Sequence, residues 1–434
     1  MTTGLHSFAA RLREFISRCS SPHVPRVSSC SQPGSSDTGF NLFALELFAL
    51  QFASNAPYRR LCESRGVKPG SIAHWSHIPA VPASAFKELE LTCLAPGERT
   101  RVFHSSGTTE QRPSRHFHNA ESLALYEASL WPWFQQHVLA DVGQAFQSAG
   151  SPDSSLATNV GVPVRCSEEL ATGKVAEPAD RNVRPTPAGH WQLAILTPPP
   201  AAAPHSSLVH MFETVRRNSG AGESAFLGDG VADGVWTLAL GRAGAAIHSA
   251  VAAGRPLVLL GTAFNFVHLI DGLAERSIEF QLPPGSVVME TGGYKGRSRE
   301  MPKDALHQFI TRSLGVPRSH ILCEYGMSEI SSQAYDGMSD GWRVTSDVNA
   351  TRNTQHATRS FTFPPWSRAQ IISPETGREV NDGETGLIRI FDLANAFSVL
   401  AVQTEDLAIR RGDGFELIGR ATATEPRGCS LMTT

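Results

Sequence analysis

The sequence predicts an α/β protein: a parallel sheet layered with helices, followed by a small antiparallel β-module. Two patterns and one count predict it. From Trp191 onward, apolar strand-like runs alternate with runs of helical period, the β-α-β-α order that builds parallel sheets covered on both faces. From about residue 359 the runs shorten and are separated by turn residues, as in consecutive antiparallel strands. The chain has 434 residues, 41% of them hydrophobic, enough for one large core or two ordinary ones.

Residues 1–38 read as an amphipathic helix carrying Arg11 and Arg13, then a flexible Ser/Pro-rich segment over 20–38. Phe40, Phe43, Ala44, Leu47, Leu50 and Gln51 recur at helical spacing and predict a helix with a buried aromatic stripe. The two prolines of 75–91 predict extended chain leading into a short helix. Residues 100–104 (TRVFH) read as a strand, 105–109 as a Ser/Gly/Thr loop, and 121–139 as a helix. The polar stretch 147–188 reads as an irregular insertion.

Order resumes with a strand at 191–197 (WQLAILT). A mainly helical segment follows over 234–254, then a strand at 255–262 and a helix at 264–276. A strand over 286–293 runs into a glycine turn, a helix over 302–315 closes on Gly315, and a strand at 320–329 runs into a loop. Four short strands (369–374, 384–393, 399–411 and 414–420) make up the β-module. The expected division is 1–38, an α/β core over 39–358, the β-module of the same domain over 359–420, and a short tail over 421–434.

Composition excludes several classes. A net charge of −3 provides no basic field for nucleic acid. Seven cysteines, with no C-x-x-C spacing, argue against a zinc site or a disulfide framework. The N-terminus lacks the apolar core of a signal peptide. The most apolar stretch, 251–270, carries Arg255, Pro256 and His268, so a buried strand and helix are expected and no membrane span. The expected setting is a reducing cytoplasm.

The loop His104-Ser105-Ser106-Gly107-Thr108-Thr109 offers backbone N–H groups and four hydroxyls around a glycine turn, a cradle for phosphate oxygens. No G-K-[ST] follows, which excludes a Walker A loop. Alone, such a run is more often an ordinary hydrophilic turn. Three more segments follow in order: Gly292-Gly293 at a strand end, Glu324-Tyr325-Gly326-Met327-Ser328-Glu329 after another strand, and Thr404-Glu405-Asp406 followed by Gly419-Arg420.

This series resembles the adenylate-forming superfamily of acyl-CoA synthetases, firefly-type luciferases and nonribosomal adenylation domains. A closer resemblance is to acyl-protein synthetases, the fatty-acid–protein ligases of bacterial luminescence. It is carried by 43–62, 78–91, the SSGTT loop, SSLVHM (206–211), METGGYKGRSRE (289–300), 386–408 and RGCSL (427–431). The fold it implies is the large N-terminal domain of adenylate-forming enzymes with the C-terminal lid domain absent.

The resemblance implies ATP and Mg²⁺ as cofactors and an acyl-adenylate as intermediate. It assigns Ser105, Ser106, Gly107, Thr108 and Thr109 to the β- and γ-phosphates, and Gly292 and Gly293 to close approach of adenine. Tyr325, with Gly326 beside it, would lie against the base, and Ser328 would reach the α-phosphate. Glu329 would hold Mg²⁺, a hard carboxylate for a hard cation. Asp406 would accept the ribose hydroxyls and Arg420 would reach ribose or phosphate. A histidine facing the acyl carboxylate is expected at His205 or His210, with His205 preferred.

Two departures stand out. Glu110 occupies a place where glycine is usual, and Arg112 or Arg115 would offset its charge. No lysine follows Lys303, so the C-terminal catalytic lysine of full-length members has no counterpart. Attention moves to Cys429, the expected thioester acceptor, because a thiolate on a mobile tail can attack an adenylate.

The substrate expected is a carboxylic, and by resemblance fatty, acid. The acyl group would pass to Cys429 or to a partner thiol, the partner being an acyl reductase, an acyltransferase or a carrier protein. Two alternatives stay open: a ligase delivering to CoA or a small amine, and a non-catalytic nucleotide-binding homologue.

Overall fold

The computed structural model describes residues 3–20, 35–105, 112–140, 142, 190–230, 236–292, 301–338 and 359–421. Among the described residues the strands are β1 (Val81–Pro82), β2 (Arg101–His104), β3 (Arg115–His118), β4 (Gln192–Ile195), β5 (Glu223–Phe226), β6 (Gly228–Gly230), β7 (Trp236–Leu238), β8 (Leu257–Thr262), β9 (Val287–Thr291), β10 (Ile321–Tyr325), β11 (Ala334–Met338), β12 (Arg359–Thr362), β13 (Ser367–Ile372), β14 (Thr385–Asp392), β15 (Ala401–Arg411) and β16 (Gly414–Arg420). Twelve of them form one sheet in the order β13-β14-β15-β16-β12-β11-β10-β9-β8-β4-β5, with β1 added in parallel to β15.

Pairing is parallel from β10 through β9, β8 and β4 to β5. It is antiparallel from β10 through β11, β12, β16, β15 and β14 to β13. The α/β expectation therefore holds, and the antiparallel strands after residue 359 continue the same sheet.

The parallel strands read as near-continuous apolar runs because both of their faces are covered. In β8, Leu257 and Leu259 face the helices Leu240–Ala253, Ala263–Ala274 and Lys303–Leu314, while Val258 and Leu260 face the helices Ala120–His137 and Ser207–Asn218. Full burial of a side chain such as Phe266 is worth roughly 2–3 kcal/mol. The helix Lys303–Leu314 ends as expected on Gly315, whose φ of 70° is the left-handed conformation glycine adopts without a Cβ penalty.

A second core joins the N-terminal helices to the antiparallel strands. The helix Ser35–Ser54 carries Phe40, Ala44 and Leu47 inward, and Gln51 with them. The Gln51 amide is buried because it donates to the carbonyls of Asn395 and Ala396 and accepts from Leu400 N, so a polar side chain in an apolar stripe is fully satisfied.

Two segments depart from expectation. The chain after the phosphate loop returns as β3 before the helix Ala120–His137 begins, because Arg-His-Phe-His alternates with the period of a strand. The start of the 234–254 segment is β7, paired with β6, and the helix begins only at Leu240. The insertion over 147–188 lies outside the described residues. Among the described residues, no helix is long and apolar enough to cross a membrane.

Candidate functional site

The site lies at the carboxyl ends of β9 and β10, where ligands bind in open α/β sheets, with Ser114 and His116 at the start of β3 against it. Strands β2 and β3 pair antiparallel, and the phosphate-loop sequence lies between them in the chain. Its base is closed by Ser105 and Ser114: Ser105 N donates to Ser114 O at 3.3 Å and Ser114 N to Ser105 Oγ at 3.0 Å. Ser106, Gly107, Thr108, Thr109 and Glu110 lie outside the described residues.

Ser114 ties this hairpin to the loop after β10. Its hydroxyl donates to Glu329 Oε1, and Ser328 Oγ donates to Glu329 Oε2 at 3.0 Å. The neutral ring of His116 donates through Nδ1 to the Ser328 carbonyl at 2.8 Å. Burial pushes His116 down to about 4, so it stays uncharged. Behind the loop, Asn395 Nδ2 donates to Glu329 O at 2.9 Å. The Asp392 carboxylate accepts from Ser331 N and Ser332 Oγ at 2.8 and 2.7 Å. Burial raises Asp392 to about 6, and those donors oppose the rise.

Glu329 is a buried carboxylate whose oxygens each accept one hydroxyl hydrogen, which leaves lone pairs free. Its hard oxygens fit Mg²⁺, which typically takes one or two carboxylates and draws its other ligands from phosphates and water. Among the described residues no group of three or more acidic, histidine or cysteine side chains converges, so an all-protein metal cage is not what they build.

The second half of the site is joined across the sheet. Tyr325, at the end of β10, donates its hydroxyl to Asp406 Oδ2 at 2.8 Å, and Arg420 Nε reaches Asp406 Oδ1 at 3.2 Å. Asp406 and Arg420 are register partners on β15 and β16, which explains why residues fourteen apart meet. The Tyr325 ring packs edge-on against Phe415 and Phe361, and burial raises its phenol well above the ordinary range. Gly292, at the end of β9, has φ of 71°, a conformation that calls for glycine, while Gly293 lies outside the described residues.

His205 is exposed and stands beside the start of the phosphate loop. Its Nδ1 lies 3.1 Å from Val102 O, and its ring stacks on His104 with centroids 4.7 Å apart. Burial, with His205 beside it, lowers His104. His210 is more enclosed, against Phe103 and Tyr126, with Nε2 3.1 Å from Glu127. Arg112 and Arg115 pair with Glu88 and Glu90 at 3.6 and 3.3 Å. Cys429 lies outside the described residues.

Sequence reasoning missed Ser114 and His116, and quoted Glu324 within its segment without a role. The alternation of Arg115-His116-Phe117-His118 carried a signal, since period two puts both histidines on one face. The role of Ser114 had none, because its partner is 215 residues away.

The structure thus brings together Ser105, Ser328 and Glu329 through Ser114, and Tyr325, Asp406 and Arg420 through the β15–β16 pair. Residues 245–434 match the family model described as acyl-protein synthetase, LuxE. None of the curated proteins compared matches the chain.

Among solved structures, an open conformation of 2-hydroxyisobutyryl-CoA ligase in complex with 2-HIB-AMP and CoA aligns with a TM-score of 0.53 at 10% identity. That alignment covers 88% of this chain and 69% of the ligase. The same ligase in the postadenylation state, in complex with 2-HIB-AMP, gives 0.54 and 11%, covering 90% and 69%. At such identity the likeness is one of fold alone.

Proposed function

We propose that this chain, whose residues 245–434 carry the acyl-protein synthetase pattern, is an ATP-dependent ligase that activates a carboxylic acid as an acyl-adenylate and passes the acyl group to a thiol. The observation that carries the reading is the Ser114 bridge. It joins the base of the phosphate loop to the Ser328–Glu329 turn, so two motifs far apart in sequence belong to one site.

The chain's own residues divide the work. Backbone and hydroxyl donors of 105–109 hold the β- and γ-phosphates, and Ser328 Oγ serves the α-phosphate. Asp406 takes the ribose hydroxyls with Tyr325 beside the base, and His205 faces the acyl carboxylate. The acid oxygen attacks the α-phosphorus, the P–O bond to pyrophosphate breaks, and pyrophosphate leaves with the electron pair. Fixed donors aimed at the phosphates supply positioning and electrostatic stabilisation. Glu329 would hold Mg²⁺, which when bound would supply charge neutralisation for the phosphates.

The acceptor in this reading is Cys429 or a partner's thiol. The buried cysteines are poor candidates: burial pushes Cys62 up to about 11 and Cys93 up to about 12, and raises Cys323 well above the ordinary thiol range, so none offers a ready thiolate. The setting proposed is the cytoplasm, and the thiol partner an acyl reductase, acyltransferase or carrier protein.

ATP–pyrophosphate exchange across a panel of carboxylic acids, followed by intact-mass analysis of the protein, tests the reading. Exchange with at least one acid and a thioester mass on the chain, lost in Cys429→Ser, are expected. No exchange with any acid overturns it. A free CoA thioester or amide formed without a protein-bound acyl group replaces the thiol step by direct delivery.

A further inference from the structure

Lys303 is a charge set against its local preference. It opens the helix Lys303–Leu314, whose first turn favours anions, and it follows the Gly292-Gly293 segment along the chain. What holds it there is the wholly buried carboxylate of Asp336, whose Oδ2 accepts from Lys303 Nζ at 2.8 Å. The Lys303 side chain itself is 39% exposed.

Asp336 serves β10 with its other oxygen. Oδ1 accepts from Cys323 N at 2.6 Å and lies 3.3 Å from Arg359 Nη2. Arg359 Nη1 in turn donates to Ile321 O at 2.7 Å. Side chains of β11 and β12 thus fasten β10 two residues short of Tyr325, just before the register pairs Glu324–Tyr335 and Tyr325–Ala334.

The same ammonium also reaches the aromatic group around Tyr325. Lys303 Nζ lies 4.9 Å from the centroid of the Phe361 ring, within the range of a cation–π contact. Phe361 is the register partner of Phe415, and their rings stack with centroids 5.5 Å apart. The Tyr325 ring meets Phe361 and Phe415 edge-on at 6.0 and 5.3 Å. Its hydrogen bond to Asp406 fixes one end of the ring, and the two phenylalanines set the tilt about that end. A continuous series of contacts therefore runs from Lys303 through Phe361 and Tyr325 to Asp406.

We propose that Lys303 is a positioning residue for the nucleotide: its ammonium, anchored on Asp336, holds the Phe361 ring and through it the face that Tyr325 turns to the base. The inference rests on the adenylation reading and adds to it a residue that acts through its neighbours. The expected effect is selective. A tilted Tyr325 weakens ATP binding and spares the acid, whereas a general loosening of the fold worsens both.

The test is ATP–pyrophosphate exchange by the full chain with its best acid, KM being measured separately for ATP and for the acid. Lys303→Met keeps the apolar stem and deletes the charge. It is expected to raise KM for ATP roughly 3- to 10-fold and to leave KM for the acid within roughly twofold. Lys303→Gln, which still donates to Asp336, shows the same rise and decides the matter where Lys303→Met does not fold. Lys303→Arg keeps a cation on Asp336 and over the ring and restores KM for ATP to within roughly twofold of the wild type. Phe361→Leu keeps the ion pair and removes the ring, so it reproduces the ATP defect, and adding Lys303→Gln to it costs little more.

An unchanged KM for ATP in Lys303→Gln, or an equal rise in both KM values, overturns the inference while upholding adenylation. So does a full further loss when Lys303→Gln is added to Phe361→Leu. No exchange by the wild type with any acid overturns both.

Discussion

Tyr325 donates its hydroxyl to one oxygen of Asp406 at 2.8 Å, and Arg420 approaches the other at 3.2 Å. Both carboxylate oxygens are thereby aimed, and the aim comes from β10 on one side and β16 on the other. Asp406→Ala is expected to lower kcat/KM for ATP roughly 10- to 100-fold, the value of hydrogen bonds to a charged group. Tyr325→Phe is expected to cost less, about 2- to 10-fold. Arg420 is mostly exposed, and its pairing alone contributes little. Pyrophosphate exchange at varied ATP measures all three, and an unchanged KM in Asp406→Ala removes Asp406 from the nucleotide site.

Ser114→Ala deletes the hydroxyl that orients Glu329. Partners of this kind around metal ligands typically matter 10- to 100-fold. The expectation is a rise of roughly tenfold in the Mg²⁺ concentration that half-saturates exchange, with Ser114→Thr restoring it. A loss of thermal stability with no shift in Mg²⁺ dependence would reduce Ser114 to a fold-holding role.

Stability should fall as pH rises through the window set by Glu324. Its carboxyl is raised from 4.5 to about 7, so between those values the native state binds the extra proton. The contribution is full below about 4.5 and is lost as pH passes 7. Glu324→Gln should match the wild type near pH 5 and exceed it at pH 8 by on the order of 3 kcal/mol. Chemical denaturation at the two pH values reads this difference.

His116 acts in the opposite direction. Its imidazole is held neutral, lowered from 6.5 to about 4 by burial, so the unfolded chain takes the proton first. The penalty is absent above about 6.5 and grows as pH falls toward 4. His116→Gln keeps a donor for the Ser328 carbonyl and should flatten this acid limb by on the order of 3 kcal/mol. An acid limb identical to the wild type would place its origin elsewhere, His118 being the next buried imidazole.

The apolar strand runs, the closing glycine of the helix Lys303–Leu314 and the late antiparallel strands were readable because each is a local pattern. β3 and β7 were not, since they are short and sit beside stronger helical signals. Within the site, Tyr325 and Asp406 were visible as motif residues, but that one donates to the other follows only from the sheet order. Glu324 shows the same limit. In sequence it is a polar residue ahead of a motif, and only the pleat, Gly326 and the absence of a paired cation among the described residues make it chemically distinctive.

Gln51 and Asn55 reach backbone partners 343 to 349 residues further along the chain. Those contacts cannot form while the chain is still being synthesised through its first core. At roughly 5–20 residues per second, the helix Ser35–Ser54 waits about 20–70 s for the loop and strand that cover it. Assembly of this core is therefore a late closure, with an apolar helix face held open meanwhile. That interval makes the nascent chain a client for holdase chaperones.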